Sequence, residues 1–444
     1  MRISVRKEAV AVQSVQLRKL ISEFLPATGL ALISRDGRER WTPRMLVLCG
    51  ILMHLLGTGA LCDRFVEARD TVVAMYRTRR RPGKTYLGFV KSLLRQSSTL
   101  TQSLATHFRA ITPQVFKSVW HIDGRMVFGV DGTRVECPRT KANQKRLKRA
   151  GRKKTGPQFM LTVLFHLGSG LPWGFRRGIG KSSERKHLRD MLDLLPSGAW
   201  LLADAGFTGY ELFTQLQKRG IHFVVRVGHN VKLLQKLGYC VREKKGVVYL
   251  WSEKTRAAGL PPLALRLVRL NTGRQKVCLL VSELDESVLS DAGVLELYRQ
   301  RWQVEVFYRT LKRTMGRHKM ESDAPDEAGA ELDWSVLALW VLSMVSLRQL
   351  LSVKRSPHDG SVAGVLRVIR RACGSKRNRR ISMRGFAQSL RQAVKDGYSR
   401  KGPKATRKWP RKKNEPPAGE PKMRMATRAE VRAAQRFVTL RQAA

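Results

Sequence analysis

Acidic side chains are scarce in this chain of 444 residues, with 34 Asp and Glu against 85 Lys and Arg, a formal net charge of +51 and a pI near 11.2. A compact state with that much like charge repels itself unless a polyanion neutralises it. Nucleic acid is the foremost such partner. A ribosomal or nucleoid protein, or a membrane-surface binder, would share the balance, so charge names a class of partner and no activity. Cysteine is sparse too. The six, Cys49, Cys62, Cys137, Cys240, Cys278 and Cys373, are scattered without a CxxC pair. That excludes a zinc ribbon or disulfide framework and suits a reducing cytoplasm. The N-terminal MRISVRKEAVAVQS lacks the apolar core of a secretory signal. Two apolar runs, 45–61 and 334–347, fall short of a clean membrane span, and the first contains His54. Both are expected as buried helices. No internal repeat is present.

What is present supports folding: 43% of residues are hydrophobic, over a length that suits two or three domains. Residues 1–115 read as a helical N-terminal domain and a candidate DNA binder, although no turn signature fixes a helix-turn-helix. Apolar residues recur at helical spacing in VQLRKLISEFL, and TPRMLVLCGILMHLLG opens with Thr42 as N-cap and Pro43 in the first turn. From about 122 the period changes. RMVFGVDG reads as a buried strand, FMLTVLFHLGSGLPWGF as two strands joined by a Gly-Ser-Gly turn, AWLLADAGF and HFVVRVG as further strands, with amphipathic helices between. This order implies a core over 120–355 with a mixed α/β sheet flanked by helices. A β-rich insertion at about 226–285 contains Asn-Thr-Gly-Arg as a hairpin turn. Residues 356–444 read as helical and basic. A disordered arm is expected around 398–425, since 400–413 carry eight basic and no acidic side chains.

LYRQRWQVEVFYRTLKR, at 297–313, holds one carboxylate, Glu305, among arginines and aromatics. On one continuous helix Tyr298, Arg301, Glu305 and Lys312 would share an arc of about 60°. A plain solvated face would pair Glu305 with Arg301 or Arg309. Two other carboxylates bear on the choice. Asp131 ends an apolar strand just before a glycine, and Asp204 ends another in LLADAGF. A polar group there sits at the sheet's rim, where ligands are met, though aspartate at a strand end is also a common turn former. Converged, three hard oxygen ligands suit Mg2+ or Mn2+. Two such ions roughly 3.5–4 Å apart serve phosphodiester displacement.

These residues resemble the DDE transposases of insertion-sequence family 4, which have a ribonuclease-H-like core and a Tyr-x2-Arg-x3-Glu-x6-Lys signature. YRQRWQVEVFYRTLK matches it at Tyr298, Arg301, Glu305 and Lys312, while VFGVDGTR and LLADAGF match the contexts of the two aspartates. The resemblance covers about 120–320. It implies a cut-and-paste recombinase in which Asp131, Asp204 and Glu305 are catalytic and hold two Mg2+ ions, with Mn2+ as a substitute. Water would free a 3′-hydroxyl at the element's end, and that hydroxyl would attack target DNA. Relatives can pass through a hairpin intermediate. The partners implied are double-stranded DNA, as terminal inverted repeats and target, and a second copy in a synaptic homodimer with helix 334–352 as candidate interface. The implied location is a bacterial cytoplasm, at the nucleoid.

DNA contacts are expected from Tyr298, Arg301, Lys312, Arg309 and Trp302, and from the basic loop 139–154, which has nine Lys or Arg including Lys145, Arg146, Arg152 and Lys153. Trp302 reads as packing ahead of base stacking. Trp251, in the insertion, is a weak candidate for holding a flipped base. Glu184 and His187 read as structural. Two alternatives stand beside the transposase: a transposase-derived DNA-binding protein without catalysis, and a ribonuclease-H-fold nuclease that cleaves without joining.

Overall fold

The computed structural model describes residues 15–442 except 27–39, 58, 77–80, 149–155, 241–243, 245, 272–275, 374–382 and 396–418. Four helices come first: α1 (15–22), α2 (Pro43–Leu55), α3 (Leu61–Met75) and α4 (Tyr86–Val115). Then follow β1 (Val127–Glu136), α5 (Lys141–Leu147), β2 (Gln158–His166), β3 (Leu171–Ile179), α6 (Glu184–Arg189), β4 (Trp200–Ala203), α7 (Tyr210–Lys218) and β5 (His222–Val227). The insertion supplies β6 (Lys232–Gln235), β7 (Val247–Leu250), α8 (Glu253–Ala257), β8 (Leu263–Asn271) and β9 (Lys276–Val281). The chain closes with α9 (Asp291–Arg299), α10 (Trp302–Arg309), α11 (Pro325–Leu351), α12 (Val362–Cys373), α13 (Met383–Arg391), β10 (Lys422–Met425) and α14 (Arg428–Gln442).

Packing divides the chain into two compact units. The first comprises Met1–Trp120, Gly132–Ser183 and Glu305–Gly397, the second His121–Asp131, Glu184–Val304 and Tyr398–Ala444. Strand β1 contributes its end to the first and its beginning to the second.

In the first unit α11 is the central helix, in contact with α2, α4, α12 and α13. Thr42 caps α2 by accepting from Met45 N at 3.3 Å, with Pro43 in the first turn as read. Gly50 of α2 faces Trp334, and a Cβ there would stand 2.7 Å from the indole, so only glycine permits this approach. The apolar run of α11 is long enough to cross a membrane, but 83% of it is buried. Both apolar runs are core helices, as expected. That burial corrects one reading: helix 334–352 is covered by its own chain and is not a candidate dimer interface. Strand β2 is buried along its whole length, and β3 pairs antiparallel with it from Phe159↔Ile179 to His166↔Leu171.

In the second unit the strand order is β10-β6-β7-β8-β9-β5-β4-β1. β1, β4 and β5 run parallel, β5 through β6 alternate antiparallel, and β10 joins β6 parallel. Followed through β1, the first five strands read 3-2-1-4-5, a ribonuclease-H-like sheet extended past β5 by the insertion. The hairpin was read correctly on its flanks, where Asn271 pairs with Lys276, while 272–275 lie outside the described residues. Much of the expected arm, 396–418, also lies outside them. Residues 422–425, expected within that arm, instead form β10, and α14 packs Ala434 into a cluster with Tyr239, Tyr249 and Trp251. Apolar residues of α14 bury what the insertion alone would leave exposed.

Candidate active site

VFGV of β1 and WLLA of β4 are wholly buried; the chain first turns polar at Asp131, midway along β1, and at Asp204, just past the end of β4. The β1–β4 register pairs Val127 with Trp200 and Gly129 with Leu202. Continued two residues, it sets Asp131 level with Asp204. Neighbouring strands lie about 4.8 Å apart and residues in one row face the same side, so the two carboxylates share one edge. Asp204 also makes the turn anticipated for it, its Oδ1 accepting from Gly206 N at 2.9 Å. The turn-forming reading of Asp204 therefore holds.

Also in the second unit, Arg301 places Nη1 3.7 Å from Oδ2 of Asp131, with side chains 15% and 18% exposed. At that distance it is an ion pair without a direct hydrogen bond. The Arg301 guanidinium stands 5.7 Å from the Tyr298 ring centroid, a cation–π contact. Burial raises the Tyr298 phenol above its ordinary pKa; Asp204 adds to the rise, and Arg301 and Arg226 oppose it. Two signature residues thus lie beside Asp131, Arg301 directly and Tyr298 through Arg301.

The single-helix geometry behind the 60° arc does not hold. Helix α9 ends at Arg299, and α10 starts at Trp302. Between them Gln300 N bonds Leu297 O, and Arg301 N bonds Tyr298 O, each at 3.1 Å, in the tighter i→i+3 pattern. After α10, Thr310–Thr314 form a π turn. No proline or glycine marks either irregularity, so spacing could not reveal them.

The first unit carries Glu305, Arg309 and Lys312. Glu305 is half-buried in the first turn of α10, and Arg309 is exposed. Lys312 Nζ donates to Arg134 O at 2.7 Å, three residues beyond Asp131 on β1. Burial lowers the Lys312 pKa against the pull of Glu136. Among the described residues no group of three or more His, Cys, Asp and Glu is gathered as a metal cage. The level pair Asp131 and Asp204 nevertheless offers hard oxygen donors at one rim, which fits Mg2+ or Mn2+.

The remaining candidates divide. Trp302 is 58% exposed, so the packing reading fails and its ring is available for stacking. Trp251 is 4% exposed, donates Nε1 to Leu260 O at 2.7 Å and meets Phe437 edge-on, so it is core and holds no flipped base. Part of the basic loop is the helix α5, on which Lys145 is exposed and Arg146 pairs with Asp326 at 2.7 Å. Arg152 and Lys153 lie outside the described residues. His187 is buried, in keeping with a structural role. Two residues went unread. Arg226 signals itself as the lone arginine in the apolar HFVVRV; Tyr308 gives no sequence signal beyond an aromatic near Glu305.

The transposase DDE domain family matches residues 123–341, from just before β1 into α11 and across all three carboxylates. One curated relative is the transposase InsG for insertion sequence element IS4 of Escherichia coli (strain K12), 25% identical over 235 residues, 50% of this chain and 52% of the relative. Another is a putative transposase for insertion sequence element IS4SA of Synechocystis, 21% identical over 187 residues, 40% of this chain and 51% of the relative. The chain spans about half the length of these relatives. A cryo-EM structure of the piggyBac transposase synaptic complex with hairpin DNA is 13% identical, with TM-score 0.39, covering 90% of this chain and 87% of that one. Fold and matched domain define the class, a transposase with a DDE domain. Within it, the curated relatives that the chain resembles are transposases of the insertion sequence elements IS4 and IS4SA.

Proposed function

We propose that this chain cuts DNA at the ends of an insertion sequence and joins the freed 3′-hydroxyls to target DNA. One observation carries the reading: β1 and β4 pair in parallel up to Gly129 and Leu202, a register that leads Asp131 and Asp204 to the same end, with Arg301 against the first. In this reading Asp131, Asp204 and Glu305 hold two Mg2+ ions, or Mn2+ in their place. When bound, the ions supply the Lewis acidity that activates the attacking oxygen and stabilises the leaving one.

The chain's own side chains hold the DNA. Arg301 offers a planar two-donor contact to phosphate, and Tyr298 a hydroxyl. Trp302 presents an exposed ring for an unstacked base. Lys312 can serve as a point charge after exchanging the Arg134 carbonyl for a phosphate oxygen. Arg309, Lys145, Arg146, Arg152, Lys153 and the helical region 1–115 add sequence-independent backbone contacts, in keeping with the +51 charge. Catalysis joins two copies of the chain across the paired element ends, on nucleoid DNA in the cytoplasm.

The test is Mg2+-dependent nicking of a plasmid that carries the element's inverted repeats, followed by detection of joined products. Asp131→Ala, Asp204→Ala and Glu305→Ala should each lose more than the roughly 10–100-fold that removal of an outer-shell partner costs a metal site. Each should keep its DNA affinity. Full cleavage by any of the three would remove that residue from the site. Cleavage without joined products would reduce the activity to that of a nuclease.

A further inference from the structure

Glu305 rides on a helix fastened to the sheet through one buried phenol. Tyr308 follows Glu305 by three residues, about 60° around the helix, and is 6% exposed. Its hydroxyl accepts from Val163 N at 3.1 Å and donates to Leu161 O at 3.4 Å. Leu161 and Val163 are alternate residues of β2, so their peptide groups point to the same edge of the strand. One oxygen atom therefore satisfies a backbone donor and a backbone acceptor at once. Phe307 lies beside it against Phe165 of the same strand, ring centroids 5.6 Å apart. Apolar contact of that kind holds a helix at a distance but tolerates sliding. A hydroxyl bonded to two fixed peptide groups does not slide, because movement along the strand breaks one bond or both. Lys312, bonded to Arg134 O, adds a second polar tie further along the same chain.

We propose that Tyr308 is a positioning residue for Glu305, setting the height and rotation at which α10 presents that carboxylate. The proposal rests on the reading of Glu305 as a metal ligand. Tyr308 is not among the four signature positions, and its role comes from its two hydrogen bonds to β2.

Tyr308→Phe removes a single oxygen. The full-length protein would be titrated with Mn2+ and the free ion followed by electron paramagnetic resonance, well below the thermal midpoint. The expected result is a Kd for Mn2+ raised about 10–100-fold, as for loss of an outer-shell partner, with cleavage recovering at high Mn2+. Phe307→Leu is the control for packing: it should lower the thermal midpoint and leave the Mn2+ Kd unchanged. A merely structural role for Tyr308 would make Tyr308→Phe behave like that control, and wild-type Mn2+ affinity in the folded variant overturns the proposal. Should Tyr308→Phe not fold, Tyr308→His, whose ring can keep one hydrogen bond, is read in the same titration, with the same overturning result. Glu305→Gln separates the two readings. If it loses Mn2+ while Tyr308→Phe does not, Tyr308 alone is misassigned. If it binds Mn2+ as wild type, the assignment of Glu305 fails.

Discussion

Removing the Glu331 carboxylate should unfasten the loop that follows the Glu305 helix. Glu331, on α11, accepts from Arg317 Nη1 at 3.3 Å, Glu321 N at 3.0 Å, Ser322 N at 3.1 Å and Ser322 Oγ at 2.9 Å. Its side chain is 3% exposed, and that of Arg317 is 1% exposed. Burial, with Arg64 nearby, pulls the Arg317 pKa down to about 10 against the opposing pull of Glu331 and Glu321. Glu331→Ala therefore leaves a buried guanidinium with Glu321, 3.5 Å away and 39% exposed, as weaker compensation. Loss of one partner from a buried pair costs about 3–5 kcal/mol, and the two stranded backbone donors place the variant toward the upper end. The same loop is stitched to the end of β1, where Glu136 N bonds His318 O at 3.2 Å and Met320 N bonds Glu136 O at 2.7 Å. Urea unfolding would measure the loss, and amide exchange at 317–322 would locate it. The double variant Arg317→Met with Glu331→Leu should recover part of the loss, because it removes both buried charges. A Glu331→Ala loss below about 1 kcal/mol, or a double variant no better than the single one, would refute a charge-pair origin.

Two further expectations follow from buried groups. His54 is 3% exposed and bonded to Ser335, and burial, with Arg317 and Arg64 nearby, lowers its pKa well below 6.5. The unfolded chain then takes up the proton first, so the His54 contribution is present above pH 6.5 and lost below it, at about 1.4 kcal/mol per pH unit. His54→Gln should flatten the stability profile between pH 6.5 and 5 relative to wild type, and equal slopes would contradict the buried neutral ring. Glu430 ties α14 to the insertion: it accepts from Arg424 at 2.7 and 2.6 Å and from Thr427 N at 2.9 Å, and it pairs with Arg256. Glu430→Ala should cost about 2–3 kcal/mol, discounted because Arg424 is half exposed, and should expose β6 and β10 to amide exchange. Unchanged protection of β6 would show that the segment is held by apolar contact alone.

How much could be read in advance differs from residue to residue. Asp131 and Asp204 were legible as the first polar residues after apolar strand segments; β4 ends just before Asp204 as read, but β1 runs on past Asp131 to Glu136. Their common level was not, since register is set by pairing between segments far apart in the chain. Of the two tryptophans, Trp302, expected to pack, is exposed, while Trp251, only a weak candidate for holding a base, is core. Burial depends on what other elements cover, and nothing near Trp302 in the sequence records that. Thr427 and Glu430 form a Thr-x-x-Glu capping box whose pattern was there to be seen, but its second use, gripping two arginines, depends on β10 returning to β6.

By itself the sequence determined the alternation of strand and helix, the two core apolar runs, the +51 charge and the signature that carries the family resemblance. Each of these depends on local period, composition or spacing, which a chain carries whether folded or not. Only the tertiary structure decided that β1 lies parallel beside β4, that Arg301 turns to Asp131, that α11 is enclosed by its own chain, and that residues 422–442 complete the insertion. Those are relations between distant segments, and they come into existence only when apolar faces close on one another and the strands between them find a single register.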